Sequence, residues 1–514
     1  MPLRSSPLRS VRRLPPLLAP GLVALTALVL ARSAMLPDIW FWDTAEAQTA
    51  GPVLGVMHPT GFPAYVILGW LASVVLQPFG EPAFRMNLLS GLLLSTTAAV
   101  LVVTVRRLGV PTPVAGAAGL GFAATPLPWR IATAADVHPL HIALVALLLL
   151  ALVRWEQAVT AGREVGSRPG RADRRLVLAA AIYGVALANH QLSLLLAPPV
   201  VLYVVAVDRT VFQRPRAILA SAAACLGVAA VLYLELPLRT GPFPAPLVYG
   251  RPDTLEGLAY VVLAEQFRGS LQNPFADGAS PLADLVVRAW QQFGLLAPLL
   301  PAAFAATVIL RPRYALLTGS AAAITLAFSA SYVNADIGRY DLGPVLVAWS
   351  WLAILAGAAA ERLAAGMPAA RRQALPALLV AALVLAPVAV ELPARYATVD
   401  RSQDRSARVW LDTVLTVLEP DAVVVSWWSY STPLWYGQLI EGRRPDVTVI
   451  DDRTRLDERL GGVIDVIDAH LGERPVYVMR ALPAEIEALE ARYVLELVPG
   501  TDVLFRVVAR ETLA

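Results

Sequence analysis

The placement of ionisable residues between apolar runs constrains this chain more than any other feature. Long apolar stretches are separated by short loops of two alternating kinds. One kind is rich in arginine: Arg12 and Arg13, Arg106 and Arg107, Arg171 to Arg175, Arg209 to Arg216, Arg311 and Arg313, Arg371 and Arg372. The other holds acids, histidines and aromatics: Asp43, Glu46, His58, Asp136, His138, His190 and Asp336. Loops on the cytoplasmic side of a membrane collect positive charge, so the arginine loops are expected inside and the second set on the opposite face. The pattern predicts a polytopic helical membrane protein with a polar outer surface.

Composition agrees. Of 514 residues, 57% are hydrophobic and 16% charged, less charge than a soluble chain of this length carries. Runs of about 20 apolar residues match the length a helix needs to cross a bilayer. Every basic residue among the 42 Lys and Arg is Arg, and this, with abundant Ala, Pro and Val, points to a GC-rich bacterial source. The single Cys225 excludes an intrachain disulfide and a cysteine-based zinc site. No basic stripe interleaved with aromatics points to nucleic acid.

Starting from an inside N-terminus, with 14–36 as an uncleaved first span, about eleven crossings are expected. The others lie near 85–105, 112–129, 139–153, 176–188, 192–207, 217–237, 293–310, 314–333, 342–360 and 374–392. The stretch 62–79 is read as an in-plane or re-entrant helix, because a full crossing there would put Arg106 and Arg107 outside. Two outer loops stand out, 37–61 and the Pro-rich 238–292. Residues 1–393 are thus read as the membrane part. Residues 394–514 are more charged and lack a spanning run. There, strand-like 421–426, helix-like 432–441 and strand-like 446–451, followed by 474–479 and 503–508, predict a small extracytoplasmic α/β domain.

Several outer residues are of types that carry chemistry. Asp43 and Glu46 share a helical face. Such a pair can act as a general base or hold a cation, and equally can be solvated acids on an interfacial helix. His58 can contact a phosphate or shuttle a proton, or serve the turn it sits in. Arg85 either snorkels to the interface or holds a carboxylate. Asp136, His138 and His190 lie at span ends, where polar residues often cap helices. Polar groups at membrane depth cost about 2.5–3.5 kcal/mol each, so their convergence on one face calls for mutual partners or a ligand. Arg239, Arg268 and Arg339, with Asp336, add groups suited to gripping a phosphate or anchoring at headgroup level.

The runs Asp43-x-x-Glu46, His58-Pro-Thr-Gly-Phe-Pro-Ala-Tyr65 and Pro78-Phe-Gly-Glu-Pro-Ala-Phe-Arg85-Met-Asn87 continue through Ala135-Asp136-Val-His138, Asn189-His190, Leu236-Pro-Leu-Arg239 and Gly250-Arg-Pro-Asp253. They extend to Leu434-Trp-Tyr436-Gly-Gln438 and the following Glu441-Gly-Arg-Arg-Pro445-Asp446. In order and over nearly the whole chain, they resemble a bacterial membrane family related to the transmembrane O-mannosyltransferases of plexin-type receptors, glycosyltransferase family 117. The chain has Asp136 and His138 where the family usually has Glu and Tyr, and Thr60 in place of a second Pro.

The resemblance implies a GT-C fold in the bacterial cytoplasmic membrane, a polyprenyl-phosphate sugar donor, no tightly bound cofactor, and a protein or glycan acceptor, with mannose as the sugar of the animal relatives. A metal requirement is left open. It implies Asp43 as the catalytic acid after the first span. Asp43 is expected to deprotonate an acceptor hydroxyl with Glu46 in support, while His58 and Arg239, Arg268 or Arg339 offset the leaving phosphate. Two competing readings are a flippase for a lipid-linked sugar and a non-catalytic membrane-anchored glycan-binding protein. The flippase would share the spans and the outer acids; in the other reading the membrane part serves as an anchor.

Overall fold

The computed structural model describes residues 17–166, 170–275, 281–333, 336–368 and 374–511. Arg12, Arg13, Arg371 and Arg372 of the arginine loops lie outside the described residues. Among the described residues, seven helices are long and apolar enough to cross a membrane: Pro82–Arg107, His138–Glu164, Pro215–Thr240, Leu282–Leu310, Pro312–Ser331, Ile337–Ala365 and Leu375–Val399. Four shorter apolar helices join them: Leu18–Ser33, Pro63–Val75, Thr112–Ala123 and Gln191–Val207.

The helix breaks follow from sequence. The expected span at 112–129 divides at Thr125, because Pro126 cannot continue the preceding helix and instead starts Pro126–Ile131. Pro63–Val75 has 13 residues, about 20 Å of helix, too short for a hydrocarbon core of about 30 Å. The span expected at 293–310 begins earlier, at Leu282, and bends at Gly294, whose φ of 51° interrupts regular helix. The loop expected over 238–292 is therefore shorter. It also contains a helix, Leu255–Val262.

The helices pack through small residues. A Cβ on Gly184 would lie 2.3 Å from the carbonyl oxygen of Cys225, so Gly170–Leu187 and Pro215–Tyr233 approach backbone to backbone. The outward side of Pro215–Thr240 is apolar, and only 6% of its central window is buried inside the protein. A face of that kind suits lipid as its solvent.

After Leu375–Val399 the chain forms a five-stranded sheet, β1 (Val423–Val425), β2 (Thr448–Ile450), β3 (Val476–Met479), β4 (Tyr493–Leu497) and β5 (Leu504–Arg510), in the order β2-β1-β3-β5-β4. β1 pairs in parallel with β2 and β3, while β5 runs antiparallel to β3 and β4. The strand–helix–strand reading of 421–451 matches β1, the helix Trp428–Leu439 and β2. β4 escapes the sequence pattern because it is a sheet edge, with only Tyr493 fully buried.

Candidate active site

The loop after the first helix is tied down by one buried amide. The Asn87 Nδ2 donates to the carbonyls of Leu36 (2.9 Å) and Asp38 (3.2 Å). Its Oδ1 accepts from Gln48 Nε2 (2.9 Å) and from the backbone N–H of Ala135 (2.8 Å). Asn87 is fully buried, and its four bonds hold the approach to Asp43, the helix Trp42–Val53 and the segment bearing Asp136 in one register. A buried amide with every valence used is a strong positional constraint.

On this support the charged groups converge. Arg339 Nη1 lies 3.1 Å from Asp43 Oδ2 and 3.3 Å from Asp136 Oδ2, and its Nε lies 3.3 Å from Asp336. Asp336 also receives both terminal nitrogens of Arg130 at 2.9 Å. The other oxygen of Asp136 accepts from the His138 backbone (2.7 Å) and lies 2.6 Å from its Nδ1. Glu46 accepts the His58 N–H at 2.6 Å and contacts the His58 Nδ1 at 2.5 Å. The indole of Trp428, beyond β1, donates to Asp43 Oδ1 at 3.4 Å and sits edge-on to His58.

The two carboxylates of the Asp43–Glu46 pair are thereby set apart. Glu46 is inaccessible, whereas 34% of the Asp43 side chain remains open. Burial holds Glu46 above the usual carboxylate range in spite of His58. For Asp43 burial pushes in the same direction, but His58 and Arg339 outweigh it and hold the acid below its ordinary value. Asp136 is likewise lowered, with His138 and Arg339 overcoming burial. Burial opposes charge on His58, and Glu46 and Asp43 more than compensate, so its pKa is raised. Asp43 is therefore the reachable acid of the pair, its neighbours favour its ionised form, and Glu46 and Asp43 favour protonation of His58.

Two cavities meet at these groups. The first, about 460 Å³, is called the polar cavity here for the arginines and acids set among its aromatic walls, with Trp40, Trp42, Arg130, Asp336, Arg401, Trp428 and Arg453 lining it. The second, about 310 Å³, is lined largely by apolar groups including Leu192, Leu195, Leu263, Phe328, Tyr332 and Tyr340. Asp43, His58, Asp136, Phe267 and Arg339 line both. His190 and His138 flank the apolar cavity with ring centres 4.8 Å apart, and the buried His138 Nε2 has no partner.

Three of the arginines singled out from sequence sit elsewhere or play smaller parts. Arg85 donates to the carbonyls of Gly80 and Ser73 and lines neither cavity. Arg239 caps the end of the Trp42–Val53 helix through the carbonyls of Val53 and Leu54. Arg268 borders the apolar cavity but is paired with Glu265 at 2.9 Å. Sequence reading passed over Arg130, Trp428, Arg401 and Arg453. Arg130 lay in the right loop, between the expected spans at 112–129 and 139–153. The other three come from beyond the membrane helices, and no local pattern links them to Asp43. Among the described residues, no group of three or more His, Cys, Asp or Glu is placed to hold a metal ion.

Comparison with known proteins follows the same outline. Residues 43–212 match the family model of the N-terminal domain of protein O-mannosyl-transferase TMEM260, and the match begins at Asp43. Over that segment the chain resembles a TMEM260-type domain. The mouse protein O-mannosyl-transferase TMEM260 is 41% identical over 120 residues, which is 23% of this chain. That match spans 17% of the mouse protein. Beyond the TMEM260-type segment, likeness is structural. ArnT from Cupriavidus metallidurans in the apo state aligns with a TM-score of 0.60 at 15% identity, over 95% of this chain and 97% of ArnT. A second ArnT structure, bound to undecaprenyl phosphate, gives 0.58. The oligosaccharyltransferase AglB from Archaeoglobus fulgidus, in complex with an inhibitory peptide and a dolichol-phosphate, gives 0.56 at 13% identity over 90% of this chain and 69% of AglB. At such identities these structures establish the shared fold of a multi-pass membrane protein.

Proposed function

We propose that the protein is a membrane glycosyltransferase that moves a sugar, mannose by analogy with the TMEM260 relative, from a polyprenyl-phosphate donor to a hydroxyl of an extracytoplasmic protein. The observation that carries this reading is the position of Asp43. It is an accessible carboxylate in the shared wall of two cavities, one carrying most of the arginines and the other most of the aliphatic side chains. A lipid-linked sugar needs both environments at once, with the prenyl tail among apolar side chains and the sugar in a polar chamber. On this reading residues 1–393 form the membrane part, the N-terminus is cytoplasmic, and residues 394–514 stand outside a bacterial inner membrane.

The reaction follows from the geometry. The acceptor hydroxyl hydrogen-bonds to Asp43, and its oxygen attacks the anomeric carbon from the polar cavity. As the new C–O bond forms, the bond to the phosphate oxygen breaks, through a transition state with oxocarbenium character. Asp43 takes the hydroxyl proton. The electron pair leaves on polyprenyl phosphate, whose charge is offset by Arg339 and His58, with Arg268 at the rim. Attack opposite the leaving group inverts the anomeric centre. Glu46 orients His58, and Asp136 holds Arg339 in place.

The test is incubation of the purified protein in lipid nanodiscs with labelled polyprenyl-phosphate mannose and Ser/Thr peptides, read by mass spectrometry. A sugar-mass adduct on the peptide, with release of polyprenyl phosphate, is expected. Donor movement across the bilayer with no adduct would replace this reading with that of a flippase.

A further inference from the structure

Four arginines line the polar cavity, and they fall into two pairs. Arg130 and Arg339 are committed to Asp336, Asp43 and Asp136. Arg401 and Arg453 make no ion pair within 4.0 Å among the described residues, although Asp404 and Asp336 act on Arg401, and Asp451 on Arg453, from farther away. The Arg401 guanidinium lies 5.1 Å from the Trp40 ring centre. Arg453 lies over Tyr249 at 4.7 Å and Tyr260 at 5.8 Å, and its Nη1 donates to Gln266. Its Nε and Nη2, the edge that grips a carboxylate side-on, are buried and without partners. The remaining wall acid, Asp452, is occupied from outside the cavity by Arg455 at 2.6 Å. The polar chamber therefore has cationic valence left over after all its own acids are counted.

Arg453 also borders a third cavity of about 480 Å³, enclosed by the segment 244–253 and the turn 453–458. Its wall is largely polar, with Arg251, Asp253, Asp457 and Glu458 beside Leu247 and Trp435. Arg453 lines the polar and third cavities but not the apolar one that would receive a prenyl tail.

Building on the transferase reading above, we infer that the polar cavity takes an acceptor peptide bearing an acidic residue beside the acceptor hydroxyl, and that the acids of the third cavity keep that carboxylate on the Asp43 side. There an acceptor carboxylate displaces the neutral Gln266 from Arg453 while the acceptor hydroxyl reaches Asp43. An uncharged partner is readily exchanged for a charged one, because a charge-assisted bond to guanidinium is about twice as strong as a neutral bond. The aromatic walls of the polar cavity suit peptide side chains. Arg401, at the same chamber, adds attraction to a second acidic residue. Arg453 is thus a specificity-determining residue contributed by the sheet-bearing part of the chain.

The test is equilibrium binding of fluorescent peptides to the full chain in nanodiscs. Each peptide carries one Thr flanked by Glu, and its counterpart carries Gln at the same places. The wild-type protein is expected to bind the Glu peptide about tenfold more tightly. Arg453→Gln should abolish that preference, Arg453→Lys should keep part of it, and Arg401→Gln should reduce it. Binding of labelled undecaprenyl phosphate should be the same in all four proteins. Equal binding of both peptides by the wild type, or an undiminished preference in Arg453→Gln, overturns the inference. So does a loss of undecaprenyl phosphate binding in Arg453→Gln, which would give that cation to the donor. A preference for acidic oligosaccharides over acidic peptides also overturns it. Sugar transfer without an acidic preference defeats this inference alone, and an acidic preference without transfer defeats the transferase reading alone.

Discussion

The two ends of the helical bundle are both rich in arginine, yet they use it differently. At the arginine-loop end, Arg163 and Arg214 close on Asp208 at 2.9 and 2.8 Å, and Arg313 meets Glu156 at 3.0 Å. Arg311 donates to the carbonyl of Leu108. Those bonds join neighbouring loops, and their acids line none of the three cavities. At the other end, Arg339 serves three carboxylates, Asp43 stays accessible, and His138 Nε2 and an edge of Arg453 lack partners. An ion pair by itself therefore does not mark a site. Charge that is buried, convergent and incompletely satisfied beside a cavity does.

The sharpest way to break this comparison is Asp43→Asn. It keeps the shape and the Trp428 contact but cannot take a proton. Transfer is expected to fall by about 10²–10⁴-fold, with the folded fraction unchanged on size exclusion. Full activity would remove Asp43 from the chemistry. Arg339→Ala comes next. It strands Asp43 and Asp136 together, and losing one partner of a buried pair costs about 3–5 kcal/mol. A lowered midpoint of thermal unfolding in detergent, together with lost transfer, is expected, and Arg339→Lys should recover part of the stability.

The pH dependence tests the His58 cation. Its folded pKa lies above the ordinary 6.5, so its contribution is complete below about pH 6.5 and is lost as pH rises through the raised value. Rate and stability should both decline on that alkaline side. Asp43, held below its ordinary 3.8, should add no acid limb above that value. His58→Gln should flatten the alkaline decline in a rate–pH profile. The smallest effect is expected at the opposite end. Arg313→Ala removes a part-exposed pair worth below about 1 kcal/mol, and transfer should continue at the wild-type rate. A large loss there would erase the distinction between the two ends.

The sequence showed which groups would gather, because charge sign alternates from loop to loop and side chains cannot stay unpaired at membrane depth. Asp43, Glu46, His58, Asp136, His138, His190, Asp336 and Arg339 lie together as that logic requires. It did not show which acid would stay open. That depends on the Glu46–His58 contact across 12 residues, and on Asn87 registering three segments through a single amide. Arg85 carries the same charge as Arg339 and sits in an equally suggestive motif, yet it is spent on two backbone carbonyls. The parts supplied after the last long helix were illegible for a simpler reason, since a contact spanning hundreds of residues leaves no periodicity to read.

The hydrogen bond between Trp428 and Asp43 joins positions 385 residues apart. During synthesis the acid leaves the ribosome long before its indole lid exists. A nascent chain that has inserted every long helix still has its reaction chamber without a roof. On the transferase reading proposed above, the site is completed only once the segment bearing Trp428 has docked, so activity of a chain truncated before the sheet should be lost.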